Sequence, residues 1–259
     1  MVSISVITAV YNRRDTIAQA LDSVLAQSHP GVELIVIDGG STDGTNEVLE
    51  RYRSRVSVLV SERDDGIYDA LNKGVRLARG DVVGFLHADD LYASTDALAS
   101  IAAAFDDPSV DAAYADLVYV RKDDVSKVVR QWTAGSYDTA ALLRGWMPPH
   151  PTFYVRKSVY ERLGGFDTQY RIAADYDSIV RFLFVGRIKA AYVAQTVVRM
   201  RVGGASNRSL KNLIRKSSED YRIMRAHRLG GLLTVVRKNV SKIGQFWRRD
   251  RPAVARQRR

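Results

Sequence analysis

Cysteine is absent from this chain of 259 residues, which excludes disulfides and thiolate chemistry. Histidine is sparse: His29, His87, His150 and His227 are too scattered to form a zinc site by spacing. No run of about 18 apolar residues occurs, so no stretch is predicted to span a bilayer. No basic segment opens the chain, and Ser3 to Val10 reads as a first core strand rather than a signal peptide. A cytoplasmic protein is therefore expected. That strand is not followed by G-x-G-x-x-G, and G-x-x-x-x-G-K-[ST] occurs nowhere. A dinucleotide oxidoreductase and a Walker-type NTPase are both disfavoured. Acidic residues nearly vanish from one end. From Asn207 onward sixteen Lys and Arg stand against Glu219, Asp220 and Asp250, a balance of +13. Residues 1–206 carry 23 basic and 26 acidic groups. Such asymmetry points to an anionic surface, membrane or nucleic acid, met by the tail alone.

What the chain does have is 46% hydrophobic residues, enough for one sizeable core. They recur in an alternating rhythm. After the Ser3–Val10 strand, Ile17, Leu21, Val24 and Leu25 form the buried stripe of a helix. Leu34 to Ile37 is a second strand, and the polar turn after it offers Thr42 as a helix N-cap. Val56 to Val60 is a third, followed by a helix with Ile67, Leu71, Val75 and Ala78 inward. Val82 to Leu86 is a nearly continuous apolar run, as in a parallel strand covered on both faces. Strand–helix repetition of this kind predicts an α/β fold with a doubly wound, mostly parallel sheet. Beyond Asp90 the pattern predicts a helix over Ser94–Phe105, strands over Ala112–Val120, Thr152–Val155 and Val197–Val202, and a helix over Ala173–Val185. The expected division is a catalytic domain over 1–206 and a basic helical extension over 207–259.

The strand ends carry the chemistry. Ligands of open α/β sheets bind just beyond the carboxyl ends of the strands. There the chain places Thr8 to Asn12, Asp38, Asp64-Asp65 and Asp89-Asp90. Adjacent carboxylates repel unless a cation or proton lies between them. A hard divalent ion carrying a phosphorylated ligand resolves the conflict at Asp89-Asp90, since such ions use one or two carboxylates plus substrate phosphates. With no glycine cradle, an acidic pocket needs a cation to take a nucleoside diphosphate.

At this point the chain resembles the family 2 glycosyltransferases of the GT-A fold. The matching stretches are Ser5-Val6-Ile7-Thr8-Ala9-Val10-Tyr11-Asn12, Val36-Ile37-Asp38-Gly39-Gly40-Ser41-Thr42-Asp43-Gly44-Thr45 and Glu62-Arg63-Asp64-Asp65-Gly66-Ile67-Tyr68-Asp69-Ala70-Leu71-Asn72-Lys73-Gly74. Ala88-Asp89-Asp90 and Ala174-Asp175-Tyr176-Asp177 complete them. The likeness covers roughly residues 3 to 202 and is strongest to bacterial enzymes of exopolysaccharide and glycolipid synthesis.

The resemblance implies roles position by position. Thr8, Tyr11 and Asp38 would form the nucleoside pocket, Asp38 also serving as a turn-former before Gly39-Gly40. Asp65 would line the nucleotide and sugar cleft, with Asn72 and Lys73 either supporting it or merely solvated at a helix start. Asp89 and Asp90 resemble the D-x-D motif, with His87 where many members carry the first Asp. On that basis Asp90 is expected to hold the Mn²⁺ or Mg²⁺ ion and Asp89 to lie nearer the sugar. Asp175 matches the second member of the E-D pair, the general base, although Ala174 replaces the Glu. His150, in a proline-rich loop, either reaches the acceptor side or is simply hydrogen-bonded there. The implied reaction is inverting transfer from a nucleotide-diphosphate sugar to a glycan or lipid-linked acceptor, at the inner face of the cytoplasmic membrane. A sugar-nucleotide pyrophosphorylase would need glycine in the first loop, where Tyr11-Asn12-Arg13-Arg14 has none. Nucleic acid is not an expected partner, because the tail holds Phe246 and Trp247 but no recognised binding module. Leu229, Leu232, Leu233, Val236, Val240, Ile243 and Trp247 fall at helical spacing among basic residues. Such a helix either lies on an anionic bilayer or packs on the body.

Overall fold

Four parallel strands form the first half of the sheet: β1 (Ile4–Val10), β2 (Val32–Asp38), β3 (Val58–Ser61) and β4 (Val82–Phe85). The computed structural model describes residues 1–203, 210–231 and 234. Every residue of β1 and β4 is buried, as expected of central parallel strands. Between them run α1 (Ile17–Leu25), α2 (Thr45–Glu50) and α3 (Ile67–Leu77). Ile17, Leu21 and Val24 bury the inner face of α1. Thr42 does not cap α2. Its N–H is held by the Asn12 side chain at 2.9 Å, and α2 starts at Thr45, whose N–H is taken by Asp43 Oδ1 at 3.0 Å. Ile67 is 44% exposed instead of inward.

The second half is mixed. Its elements are β5 (Leu91–Tyr92), α4 (Ala97–Ala103), β6 (Ala112–Val120), β7 (Val128–Trp132), α5 (Thr139–Leu143), β8 (Tyr154–Arg156), α6 (Lys157–Leu163), α7 (Ala174–Val180), β9 (Ala190–Arg201) and α8 (Leu210–Ala226). Strand order is β3-β2-β1-β4-β8-β6-β9-β5, with β7 paired to β6. Strand β8 runs antiparallel to both β4 and β6, and β9 is parallel to β6. A close approach sets the β4–β8 contact. The Tyr154 ring lies over Gly84, where a Cβ would stand 2.0 Å from Tyr154 Cε1. Its hydroxyl meets that of Tyr92 at 2.6 Å. The helix expected over Ala173–Val185 is α-helical only to Val180 and continues as a π-helical turn, Arg181–Val185. Strand β9 starts seven residues earlier than its apolar core suggests, because its first half lies partly exposed beside β6.

Helix α8 belongs to the packed body. Ile223 and Met224 are fully buried, as is Leu229 beyond its end. The Glu219 carboxylate accepts the backbone N–H groups of Arg171, Ile172 and Ala173 at 3.1, 2.9 and 3.0 Å. His227 Nε2 meets Asp177 Oδ1 at 2.8 Å. Of the apolar stripe expected in the tail, Leu232, Leu233, Val236, Val240, Ile243 and Trp247 lie outside the described residues. Among the described residues no helix is long and apolar enough to cross a membrane.

Candidate active site

The carboxyl ends of β1, β2 and β4 form one edge, and their loops are latched together. Asn12, in the left-handed region at φ 52°, donates its N–H to Ser41 Oγ at 2.8 Å and accepts from Thr42. Asp38 is fully buried. It accepts from the hydroxyls of Ser41 and Ser61 and from the N–H of Gly40. The turn-forming role of Asp38 is thus explicit. Beside it Thr8 is fully buried with an unpartnered hydroxyl, while Tyr11 projects 58% exposed over the same edge.

Asp64, which sequence reasoning passed over for its neighbour, is the carboxylate that leans into this edge. A Cβ on Gly39 would sit 2.5 Å from Asp64 Oδ2. Burial pushes the Asp64 carboxyl upward, with Asp69 and Asp38 adding to the effect. Glycine at position 39 was the available signal, since a side chain there would displace the carboxylate. Asp65 instead is exposed, its N–H turned to Asp69 Oδ2 at 3.2 Å. Asn72 and Lys73 are engaged in holding neighbouring loops. The Asn72 amide clamps both backbone groups of Phe166 at 2.8 Å. Lys73 pairs with Glu62 at 2.9 Å and Asp69 at 3.4 Å.

The two carboxylates after β4 part company. Asp90 is 1% exposed and turned toward β9, where Oδ1 accepts from the Arg201 N–H at 3.1 Å and Oδ2 is buried without a partner. Burial, then the adjacent Asp89 carboxylate, pushes the Asp90 carboxyl well above its ordinary range. Asp89 is the one that faces the cleft. It lines a 170 Å³ hollow with Asn12, Arg13, Asp43, Lys122 and Arg201, its Oδ2 3.9 Å from Arg13 Nε. Asp90, expected to hold a cation, is thus buried against β9, and Asp89 is the carboxylate that borders the hollow. Arg201, unremarked in the sequence, fixes the loop by donating to the Asp89 carbonyl and to the Gln19 side chain.

Next to this hollow lies a larger cavity of 310 Å³. Asp175 opens onto it from the first turn of α7. Its Oδ2 lies 3.3 Å from His150 Nδ1, and its Oδ1 accepts from the Tyr68 hydroxyl at 3.2 Å. The proline-rich loop thus brings His150 to the Asp175 carboxylate. The imidazoles of His87 and His150 lie 5.6 Å apart, tilted by 56°. Burial holds His87 below its usual value, with the Asp89 and Asp175 carboxylates opposing. Asp177 points away from Asp175, into the pair with His227 and Arg181.

A parallel sheet edge with a buried aspartate after β2, an acidic turn after β4 and an aspartate opening α7 is the layout of a nucleotide-sugar transferase of the GT-A class. The model of Glycosyl transferase family 2 matches residues 5–172. This chain belongs to that family and is a glycosyltransferase. It is 30% identical over 207 residues to the PGL/p-HBAD biosynthesis glycosyltransferase of Mycobacterium bovis, covering 78% of each chain. It is 32% identical over 185 residues to the uncharacterized glycosyltransferase MT1564 of Mycobacterium tuberculosis, covering 71% of this chain and 70% of that one. Among solved structures it is similar to S. aureus TarS 1-349, with a TM-score of 0.66 and 21% identity over 94% of this chain and 70% of that one. The mannosyltransferase PcManGT of Pyrobaculum calidifontis, in complex with GDP-Man and Mn²⁺, matches at a TM-score of 0.64 and 21% identity, covering 97% and 77%. These structures share the GT-A fold with this chain.

Proposed function

We propose that this glycosyltransferase moves a sugar from a nucleotide-diphosphate donor to a hydroxyl of a glycan or lipid-linked acceptor, with inversion, in cell-envelope synthesis. One observation carries the chemistry: Asp175 opens onto a cavity lined also by His87, and is flanked there by His150 and Tyr68. The Asp175 carboxylate takes the acceptor hydroxyl proton. The freed oxygen attacks the anomeric carbon from the face opposite the diphosphate. A bond from oxygen to anomeric carbon forms as the bond to the phosphate oxygen breaks, and the nucleoside diphosphate departs with the electron pair. His150 and Tyr68 orient the base. A positioned base of this kind contributes about 10²–10⁴ in rate.

On the donor side, the orphaned hydroxyl of Thr8, exposed Tyr11 and the Asp38–Asp64 pair receive the nucleoside. Arg13 and Lys122 border the hollow and attract the diphosphate. Among the described residues there is no cluster of three acidic or histidine side chains to hold a metal. The donor set nonetheless suits a hard ion that takes one carboxylate, Asp89, and completes its shell on substrate phosphates. Such an ion, Mn²⁺ or Mg²⁺, would neutralise charge on the departing diphosphate. Support comes also from the neighbours, one crystallised with GDP-Man and Mn²⁺ and another with UDP-GlcNAc, and from mycobacterial relatives named for PGL/p-HBAD biosynthesis.

The test is release of nucleoside diphosphate from UDP-, GDP- and dTDP-sugars in the presence of a lipid-linked acceptor mixture. Asp175→Asn should lower kcat about 10²-fold or more with donor affinity little changed. Retention of more than roughly a tenth of wild-type kcat would remove Asp175 from the role of base. Product NMR reads the anomeric configuration, and a retained configuration would overturn the single displacement.

A further inference from the structure

The cavity in front of Asp175 has a large apolar wall. Leu71, Phe85, Phe153, Tyr160, Phe166 and Ile179 line it, each buried. The rings interlock edge to face, Phe85 with Tyr160 at 6.4 Å and 83°, and Phe85 with Phe166 at 5.2 Å and 64°. Polar side chains also reach the cavity, Tyr68, His87, His150, Asp175 and Ser178 together with Arg171, Asn212 and Arg215. A sugar ring pressed against the wall of Leu71, Phe85, Phe153 and Phe166 would surrender hydration there, which is costly for each hydroxyl left unpaired. An apolar group would lose nothing. A cavity of about 150 Å³ accepts one benzene, so 310 Å³ has room for a ring and a short chain.

We infer that the acceptor of this enzyme carries its nucleophilic hydroxyl on an apolar group, a phenol or a hydrophobic alcohol, which fills this cavity and presents the oxygen to Asp175. The inference rests on the reading of Asp175 as the base and narrows the acceptor class within it. The transfer step is unchanged: the proton of that hydroxyl passes to Asp175, the oxygen joins the anomeric carbon, and the nucleoside diphosphate leaves. Ile67 and Ile172 add two further apolar side chains to the lining.

The experiment uses the full chain and two readouts. In saturation-transfer NMR titrations, 4-butylphenol and decan-1-ol serve as probes, with methyl α-glucoside as the sugar comparison. Saturable binding of either apolar probe is expected, the phenol reporting an aromatic group and decanol a lipid chain, while the glucoside shows none. Ile67→Ser and Ile172→Ser should weaken that binding about four- to fifteenfold, the worth of one or two buried methylenes. Because Ile67 is 44% exposed, its variant tests the cavity without endangering the fold, and an unchanged thermal midpoint verifies this. In the second readout, mass spectrometry detects a hexose or N-acetylhexosamine added to the probe from a pool of UDP-glucose, UDP-GlcNAc and GDP-mannose. Equal probe binding in wild type and both variants, or tighter binding of the glucoside, would overturn the inference. Turnover with sugar acceptors alone would overturn it while leaving glycosyl transfer by Asp175 intact. If Asp175→Asn transferred sugar as fast as wild type, the underlying reading of the base would fall instead.

Discussion

Removing Glu219 from α8 should loosen the base without touching it. Its carboxylate accepts three backbone N–H groups, those of Arg171, Ile172 and Ala173, in the loop that leads into α7 and so positions Asp175. Glu219 is 5% exposed, so water cannot freely replace it. Each buried donor left without a partner costs about 1–3 kcal/mol. For Glu219→Ala the three together give about 3 kcal/mol at the low end, where the emptied space admits some water. At about 2–4 °C per kcal/mol for a chain of this size, the melting temperature should fall by roughly 6–12 °C. Glu219→Gln keeps one acceptor oxygen, and Oε2 alone serves both Ile172 and Ala173. Its drop should be about half as large. Thermal unfolding followed by circular dichroism measures both. At a temperature where each variant is folded, kcat should fall more than donor affinity, because the loop orients Asp175 and not the nucleoside pocket. A melting temperature for Glu219→Ala within 1 °C of wild type would refute the reasoning.

The carboxylates after β4 should separate cleanly. Asp89→Asn should cost about 10²-fold or more in turnover by analogy with loss of a charge-stabilising group. Asp90→Asn should keep most activity, since an amide oxygen can accept the Arg201 N–H and the site already disfavours charge; steady-state rates of the pair decide it. Asp177 gives an acid limb. Burial pushes its carboxyl up, but the His227 hydrogen bond and Arg181 outweigh this and hold it below the usual range. A depressed carboxyl stabilises the fold above its unfolded value of about 3.9, and that stability is lost as pH falls through the folded value. Melting temperature should therefore drop more steeply below about pH 4 in wild type than in Asp177→Asn, and parallel curves would count against the pair. Intact protein should sediment with anionic liposomes at low salt, and truncation after Arg228 should abolish this while α8 stays folded. Equal sedimentation of both would exclude residues 229–259 as the anchor.

The local pattern of residues 1–90 determined the four parallel strands and their order of appearance, because buried apolar runs separated by amphipathic helices admit one architecture. It also determined that acidic groups would gather at one sheet edge, since parallel strands end on the same side. Which way those groups face was decided by tertiary structure. Asp89 and Asp90 are neighbours in an irregular turn, and only the arrival of β9, with Arg201 N–H beside Asp90, sends one inward and leaves the other in the cleft. Asp64 and Asp65 differ for the same reason, Gly39 leaving room for just one of them. Asn72 and Lys73 share a motif with the cleft residues, yet their partners at Phe166 and Glu62 show them holding the frame. The reversed strand β8, the contact of His150 with Asp175 and the buried clamp from Glu219 all join residues 25 to 74 positions apart in the chain, governed by packing between distant elements. No periodicity encodes such meetings, because they depend on where whole elements come to rest against one another.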